Sequence, residues 1–376
     1  MKTEYRKLGD LVDLIDERNS DEKVKTLIGV SIDKCFIKSV ANTIGTDLSK
    51  YQIIRKNDFA CSLMQVSRDG KIPIACLKDY DEAIMSPAYY IFRIKDTSKV
   101  LPDYLTMWFM RTEFDREASY IAVGGVRGSM PWEDFCNMEL PVPDLTQQQH
   151  IVNAYNIVNR RIRLLQQINE KLEATAQCLF DDLYKNDFAL TILSKLIDVR
   201  DGTHDSPKYV EEGFSLVTSQ NLSAFSIDKF NTNKISEEDF HKINERSLVE
   251  KNDILMSMIG TVGLVSLVTD EMIDFAIKNV ALLKTSKSND YKNYILCFLK
   301  SKSFSTWLNE TLTGSTQQYV SLGEIRNMKI KNPSKKILED FNSKTYKIIE
   351  SIIKMERELS KLQNLKQLII SRISGM

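Results

Sequence analysis

The sequence contains an internal repeat, because residues 104–183 match the segment that begins 190 positions further along the chain. The matched residues have the same type and keep the same order in both copies. The clearest pairs are Tyr104 with Tyr294, Phe114 with Phe304, Gly124 with Gly314, Asn137 with Asn327, and Pro143 with Pro333. Near the start of each copy the offset varies between 185 and 195, as loop insertions would produce. An ordered repeat of this length predicts two similar halves.

Each half ends in a long segment whose apolar residues recur at alternating intervals of four and three. This heptad pattern runs without glycine or proline until Gly375 and predicts two long helices. A single such helix would expose its stripe to water, so we predict that the two pack together as an antiparallel coiled coil. The alternative is an ordinary bundle core. Asn169 and Lys366 are polar stripe positions, which often fix register at a cost in stability. The residues predicted to pair the helices are Ile151, Tyr155, Val158, Ile162, Leu165, Leu172, Leu179, Ile348, Ile352, Met355, Leu359, Leu362 and Ile369.

The segments before the long helices have a mixed character. Short runs of β-branched and aromatic residues bounded by turn residues, such as 59–64 and 254–259, predict strands. Residues 103–118 and 291–309 have helical periodicity. We therefore predict an α+β fold of two similar globular domains, residues 1–145 and 186–335, separated by two long helices, residues 146–185 and 336–376.

The composition limits the class of protein and its compartment. The 376 residues carry 51 Lys and Arg against 51 Asp and Glu, so the overall charge gives no indication of a nucleic-acid partner. The six cysteines lie singly, with no paired spacing, which argues against a disulfide framework or a zinc site. No apolar stretch is long enough to cross a membrane, and the first residues do not resemble a signal peptide. We expect a cytoplasmic protein with no membrane partner.

The sequence lacks the motifs of the common enzyme classes. It has three histidines and no HExxH, GxSxG or P-loop motif. An amine-directed DNA methyltransferase would need an (N/D/S)PP(aromatic) motif, and the nearest string, Asn332-Pro333-Ser334-Lys335, lacks the second proline and the aromatic residue. We therefore predict a chain with no catalytic residue, no metal site and no cofactor of its own; a stand-alone methyltransferase or nuclease is the disfavoured alternative.

Two similar modules on long helices are suited to reading two sites at a fixed separation. DNA offers such sites, since half-sites about one turn (~34 Å) apart present the same face. Because the two modules differ in sequence, they would read different half-sites. A coiled-coil scaffold that binds only proteins is the alternative interpretation of the same pattern.

Several strings resemble the specificity subunits of type I restriction–modification systems, and the resemblance covers essentially the whole length. In the first half these are residues 27–34, 39–51 and 86–89. In the second half Val199-Arg-Asp-Gly-Thr-His-Asp-Ser-Pro-Lys-Tyr209, Ser219-Gln-Asn-Leu222 and residues 251–260 are typical of another class of their target-recognition domains. Leu140-Pro-Val-Pro-Asp-Leu-Thr-Gln-Gln-Gln149 resembles the start of the family's conserved helical region, whereas Ile330-Lys-Asn-Pro-Ser-Lys-Lys336 departs from that pattern.

The resemblance implies a non-catalytic subunit with two target-recognition domains and two spacer helices. Such a subunit binds a bipartite, gapped double-stranded DNA target, with one half-site for each recognition domain. It recruits two methylation subunits, which carry S-adenosylmethionine and flip the target adenine. Restriction subunits that use ATP and Mg can join the complex. The cofactors would therefore belong to the partner subunits.

Base reading favours polar and basic side chains on loops, and the candidates follow from this chemistry and from the resemblance. Each has the alternative role of a solvated loop residue or a local cap. For His204 a hydrogen bond that stabilises a turn is an equal alternative, and Trp132 follows a proline and is also a core candidate. The first-domain candidates are Lys34, Gln65, Arg68, Lys71, Ser86, Arg127, Ser129 and Trp132. The second-domain candidates are Thr203, His204, Lys208, Tyr209, Gln220, Asn221, Thr261, Lys278, Asn279, Gln317, Gln318 and Tyr319.

Overall fold

The computed structural model of the protein describes residues 4–39, 46–124, 128–313 and 318–373. The chain divides into two compact units. Unit 1 comprises Met1–Ile162 with Leu362–Met376, and unit 2 comprises Arg163–Lys361. Each unit contains both sheet and helix, which confirms the predicted α+β class.

The helices of the described residues include two of far greater length than the rest, α6 and α11, and each of these contributes to both units. The helices are α1 (Leu8–Leu11), α2 (Val66–Asp69), α3 (Pro102–Phe109), α4 (Thr112–Ile121), α5 (Trp132–Asn137), α6 (Leu145–Tyr184), α7 (Glu237–Ser247), α8 (Asn289–Phe298), α9 (Lys302–Thr311), α10 (Leu322–Asn327) and α11 (Lys335–Arg372). Within the described ranges, none of these helices combines the length and apolar character needed to span a membrane.

The strands are short and fall into small sheets. Those of unit 1 are β1 (Glu4–Lys7), β2 (Val12–Ile15), β3 (Ile28–Val30), β4 (Phe36–Lys38), β5 (Gln52–Arg55), β6 (Phe59–Cys61), β7 (Ile74–Cys76), β8 (Glu82–Met85), β9 (Tyr90–Ile94) and β10 (Glu139–Val142). Those of unit 2 are β11 (Leu190–Ile192), β12 (Val199–Asp201), β13 (Tyr209–Val210), β14 (Phe214–Val217), β15 (Leu222–Ser223), β16 (Ser226–Ile227), β17 (Asn233–Ile235), β18 (Ile254–Ser257), β19 (Val265–Leu267), β20 (Phe275–Ile277), β21 (Val280–Leu283) and β22 (Lys329–Lys331).

The central sheet of unit 1 has four antiparallel strands in the order β2-β9-β6-β7. Its apolar face packs on α3, α4 and α5 through a cluster of aromatic rings. Phe59 stacks on Phe92 with 5.3 Å between ring centroids, and Phe109 meets both rings edge-on. Burial of this cluster removes large apolar rings from water and stabilises the unit.

The central sheet of unit 2 repeats this topology, with four antiparallel strands in the order β12-β21-β18-β19. A second four-stranded sheet, β13-β17-β14-β20, contains one parallel pair, β14 with β20. The core of the unit includes Tyr294, Phe298, Phe304 and Phe180. Phe180 belongs to α6, so the long helix forms part of the hydrophobic core of the unit.

The internal repeat extends to individual hydrogen bonds. The hydroxyl of Tyr104 donates to the carbonyl of Pro141 at 2.9 Å, and the hydroxyl of Tyr294 donates to the carbonyl of Lys331 at 2.8 Å. Both members of the second pair lie 190 positions after their counterparts. The predicted repeat of fold is therefore confirmed.

The long helices pack against each other within each unit, and the contacts run in antiparallel order. In unit 2, Asn169 bonds to Glu356, whereas Phe180, further along α6, meets Phe341, nearer the start of α11. In unit 1, the Lys366 ammonium donates to Oδ1 of Asn159 at 3.1 Å. This arrangement confirms the predicted antiparallel pairing.

The buried face of the helices is wider than the predicted stripe. Of the predicted pairing residues, Tyr155, Val158, Ile162, Leu165, Ile352 and Leu359 are buried, and Ile151, Leu172, Leu179, Ile348, Met355, Leu362 and Ile369 are half-buried. Near the helix ends the neighbouring residues are more deeply buried: Val152, Phe180, Ile349 and Ile370. These four belong to the two large cores, so at those levels the helix packs on the globular part as well as on its partner helix.

Candidate functional site

The strands of the central sheet in unit 2 end in register, and this places several loops at one edge. Asp201, the last residue of β12, lies opposite Ala281, and Ser257, the last residue of β18, lies opposite Val280, the first residue of β21. The segments 202–208 and 258–264 and residues 278–279 therefore emerge from the same edge. We call this set of segments the loop edge of unit 2.

The second sheet of unit 2 joins the loop edge through Lys278. Val217, which ends β14, pairs with Ile277, which ends β20, and the backbone N–H of Lys278 donates to the carbonyl of Val217 at 2.9 Å. The turn that follows Val217 contains Gln220, whose side chain is exposed. Gln220 is therefore close to Lys278 and Asn279 in the fold.

Residues 318–320 also lie on the loop edge. The N–H of Gly260 donates to the carbonyl of Gln318 at 3.3 Å, and the N–H of Val320 donates to the carbonyl of Met258 at 3.0 Å. Thr261 is thus next to Gln318 and Tyr319. The structure brings together eight of the predicted residues at this edge: Thr203, His204, Gln220, Thr261, Lys278, Asn279, Gln318 and Tyr319.

His204 is the centre of a polar network on the loop edge. Its Nδ1 atom lies 2.9 Å from Oδ1 of Asn279, and its Nε2 atom lies 2.7 Å from Oδ2 of Asp201. Asp201 is buried, and its other oxygen accepts a hydrogen bond from the guanidinium of Arg246 on α7. The hydrogen bonds to Asn279 and Asp201 raise the pKa of His204 above its ordinary value.

The backbone of the 202–208 segment is closely packed where it leaves the sheet. A Cβ atom at Gly202 would lie 2.2 Å from the carbonyl oxygen of Ile277, so only glycine fits there without rearrangement. The ammonium of Lys278 donates to the hydroxyl of Ser206 at 2.8 Å. These contacts fix the loop in one conformation on the edge of the sheet.

An open cleft lies between this loop and α7. Its volume is about 440 Å³, and its lining includes His204, Ser206, Lys242 and Arg246. Lys242 and Arg246 were not among the residues predicted from sequence, because both belong to a helix with an ordinary charged face. Their spacing of four residues on one helix face was the available signal.

The corresponding edge of unit 1 carries the corresponding loops. Cys61, which ends β6, lies opposite Tyr90, which begins β9, and also opposite Ile74, which begins β7. Residues 62–73 and 86–89 therefore emerge together, and we call them the loop edge of unit 1. They contain the predicted residues Gln65, Arg68, Lys71 and Ser86.

Ser129 lies at the loop edge of unit 1. The N–H of the next residue, Met130, donates to the carbonyl of Leu63 at 2.9 Å, and Gly128 lies against Ser67. The pairing of Met130 with Leu63 is equivalent to that of Val320 with Met258 in unit 2. The guanidinium of Arg68 is exposed and bonds only to the neighbouring Asp69 among the described residues.

The structure contradicts the choice of Lys34 as a surface reader. Its side chain is 8% exposed, and its ammonium lies 2.7 Å from the carboxylate of Asp115, above the ring of Phe114. Burial lowers the pKa of Lys34. The side chain therefore holds the loop to α4 rather than facing solvent.

Asn221 and Trp132 are also structural residues. The Asn221 side chain is buried, accepts hydrogen bonds from the N–H and hydroxyl of Thr218, and donates to the carbonyl of Asn231. Trp132 is half-buried and stacks on Tyr90 with 5.2 Å between ring centroids.

Two further predicted residues, Lys208 at the end of the 202–208 segment and Tyr209 after it, lie apart from the eight residues listed above. Tyr209 begins β13 opposite Ile235, at the end of the second sheet that is remote from Val217, and Lys208 precedes it. Arg127 and Gln317 lie outside the described residues.

Phe230, whose side chain is 94% exposed, was not among the residues predicted from sequence. The carboxylate of Asp228 accepts hydrogen bonds from the N–H groups of Phe230 and Asn231, so the turn that presents the ring is well fixed. An aspartate two residues before an aromatic residue in a polar segment was the available signal. In the part of the chain that the structure describes, no group of His, Cys, Asp and Glu side chains has the arrangement of a metal site.

Part of the chain is similar in sequence to one known protein family. Residues 209–368 match the model of the type I restriction modification DNA specificity domain. The chain is 23% identical over 202 residues to the type I restriction enzyme EcoBI specificity subunit of Escherichia coli, and this match covers 50% of the chain and 42% of that protein. The chain thus spans less than half the length of that relative.

One solved structure has a similar fold over the full length of the chain. The S subunit of the type I restriction–modification system from M. genitalium superimposes with a TM-score of 0.62 at 14% identity, covering 100% of this chain and 96% of that one. The similarity to type I restriction–modification DNA specificity domains therefore lies at residues 209–368, and the chain as a whole has the fold of that S subunit.

Proposed function

We propose that this chain is the non-catalytic subunit that reads the DNA target of a type I restriction–modification complex. The target is bipartite, gapped and asymmetric, and each globular domain, residues 1–145 and 186–335, reads one half-site. The observation that carries this proposal is the correspondence of the two loop edges. Both emerge from the same end of a four-stranded sheet of the same order, yet they carry different polar side chains.

The chemistry of the loop edges suits base reading. Arg68 and Lys71 in unit 1 offer donors to guanine or phosphate, and Thr261, Gln318 and Asn279 in unit 2 offer donors and acceptors. The sheet beneath each set fixes the positions from which the side chains extend. Since the side chains differ between the units, the two half-sites differ.

The long helices serve as the spacer in this proposal. Helix α6 has 40 residues, which corresponds to roughly 60 Å at 1.5 Å per residue. This length is of the order needed to address half-sites one turn or more apart (~34 Å). The formal charge of zero implies that partner subunits supply many of the phosphate contacts.

The partners follow from the family. Two methylation subunits would bind S-adenosylmethionine and modify adenine within each half-site. Restriction subunits using ATP and Mg would cleave unmodified DNA. This chain itself would hold no cofactor and act in the cytoplasm.

The test is a genome-wide map of methylated adenine in cells that carry the chain with its methylation subunit. Cells with the methylation subunit alone are the control. We expect a two-part motif only when this chain is present. Replacing residues 186–334 by those of a relative should then change one half of the motif and leave the other intact. An assembled complex that produces no motif would favour the protein scaffold instead.

A further inference from the structure

The amide of Asn279 is held in one orientation at the loop edge of unit 2. Its backbone has a φ of +54°, a conformation that asparagine tolerates better than most residues, and its N–H donates to the carbonyl of Thr203 at 3.1 Å. The side-chain oxygen faces Nδ1 of His204 at 2.9 Å. The Nδ2 group makes no hydrogen bond to any residue in the described part of the chain.

The ring of His204 is also held through its second nitrogen, Nε2. Its Nε2 atom faces the buried carboxylate of Asp201 at 2.7 Å, and that carboxylate is fixed by Arg246. An acceptor oxygen therefore faces each ring nitrogen. Both nitrogens can donate only when the ring is the imidazolium ion. In that state the Asn279 oxygen is an acceptor for His204, and the amide cannot rotate without losing a charge-assisted hydrogen bond.

We propose that Asn279 is presented to DNA as a hydrogen-bond donor, and that His204 is the positioning residue that fixes the orientation of its amide. The inference rests on the proposed function, because it assigns a role within the DNA-reading edge. A freely rotating asparagine amide binds the donor and acceptor pair of adenine. With its oxygen bound to His204, Asn279 instead favours an acceptor atom of DNA, either on a base edge or on a phosphate.

The charges around the ring favour this arrangement. Asp201 on β12 faces His204 directly, and Arg246 on α7 offsets part of that negative charge. Asp205, Asp239 and Lys242 line the same cleft. As the pH rises through the raised pKa of His204, the ring loses one proton and one of its two hydrogen bonds. The carboxylate of Asp201 keeps the remaining proton on Nε2, so Nδ1 becomes an acceptor and the amide of Asn279 can turn its Nδ2 group toward the ring.

The test compares N279D and N279G in the complex of the full chain with its methylation subunit. Both variants remove the donor, and both residue types accept the positive φ. N279D keeps the acceptor for His204 but adds a charge, whereas N279G adds none. The probe is a DNA duplex carrying the motif mapped for the wild-type complex, with variants of each base in the second half-site. We expect both substitutions to weaken binding about tenfold, the effect of one good base contact.

The pattern of the binding loss across the duplexes identifies the DNA atom that accepts the hydrogen bond from Asn279. A change of preferred base at one position of the second half-site assigns the acceptor to that base. An equal loss on every duplex assigns it to a phosphate. Binding that is unchanged in both variants overturns the inference, and so does a loss confined to N279D, because added negative charge would explain it. A wild-type complex without any motif contradicts the proposed function instead.

The positioning role of His204 has its own measurement. Binding by the wild-type complex should weaken as the pH rises from 6 to 9, and binding by H204F should be weaker at pH 6 and independent of pH over this range. D201N should shift the wild-type transition to lower pH, since it removes the carboxylate that favours the imidazolium. Circular dichroism of each variant establishes that it is folded. A wild-type profile that is flat over this range would show that His204 does not position Asn279.

Discussion

The side-chain amide of Asn169 on α6 donates a hydrogen bond to the carboxylate of Glu356 on α11, with 2.6 Å between Nδ2 and Oε1. Asn169 is buried, and its Oδ1 atom has no hydrogen-bond partner among the described residues. A buried polar atom left unpaired costs free energy of folding. The pair therefore favours one register of the two helices at some expense of stability.

N169D should destabilise the helix pair in unit 2 strongly. The new carboxylate would face that of Glu356 in a partly buried seam, so we expect a loss of about 2–4 kcal/mol in the free energy of unfolding at pH 7. Urea denaturation measures this loss. The loss should shrink at pH 4, where one carboxyl is protonated, and N169D/E356Q should recover most of the stability. Equal stability of N169D and wild type would mean that this contact is absent in solution.

Y104F and Y294F should have similar effects, because the two hydroxyls make equivalent hydrogen bonds to the carbonyls of Pro141 and Lys331. Each substitution leaves a carbonyl without its donor, and we expect each to cost about 1 kcal/mol in the free energy of unfolding. Y120F is the matched control, since that ring is exposed, and it should change nothing. A cost for only one of the two buried tyrosines would contradict the structural equivalence of the repeats.

K34M should unfold unit 1 more easily without altering DNA preference. The substitution leaves the carboxylate of Asp115 without its ammonium partner, and breaking such a pair costs about 3–5 kcal/mol. Thermal unfolding measures the cost, and the methylation motif is the second readout. K34M/D115N should be more stable than K34M. A stable K34M protein with a changed motif would restore Lys34 as a DNA-reading residue.

His204 should titrate above pH 6.5 in the folded protein, since its hydrogen bonds to Asn279 and Asp201 raise its pKa. A pKa raised by folding stabilises the folded protein when the ring is protonated. This contribution to the free energy of unfolding is complete below pH 6.5 and is lost as the pH rises through the pKa of the folded protein. The chain has three histidines, so proton NMR can follow each ring, with H204Q identifying the signal. D201N should lower the pKa; an unchanged value would mean that the two side chains do not interact.

The periodic parts of the fold were predictable from sequence. The heptad stripe over 151–183 lies inside α6, and its counterpart lies inside α11, because a long apolar period has few other solutions. Residues 103–118 have helical periodicity, and the chain there forms two helices, α3 and α4, with Arg111 extended between them. This break lets Phe109 and Phe114 pack edge to face at 5.2 Å, a tertiary contact that no local pattern encodes.

The candidate site was predictable in part. Loop position and residue type placed Thr203, His204 and Asn279 among the candidates, and the structure brings the three together. The same criteria also selected Lys34, whose side chain is largely buried, and Asn221, which is buried. Lys34 is neutralised by a residue 81 positions away in sequence, and a single sequence does not reveal such distant partners.

Strands β12 and β18 end, and strand β21 begins, at one edge of the sheet, at Asp201, Ser257 and Val280. Most residues within these strands are buried in the sheet and determine whether the unit folds. Many of the side chains beyond them extend into solvent. Under the proposed function, selection on the DNA target and selection on folding would therefore act through largely separate sets of positions. Exchange of exposed loop residues would change the DNA target while the buried strands stay the same.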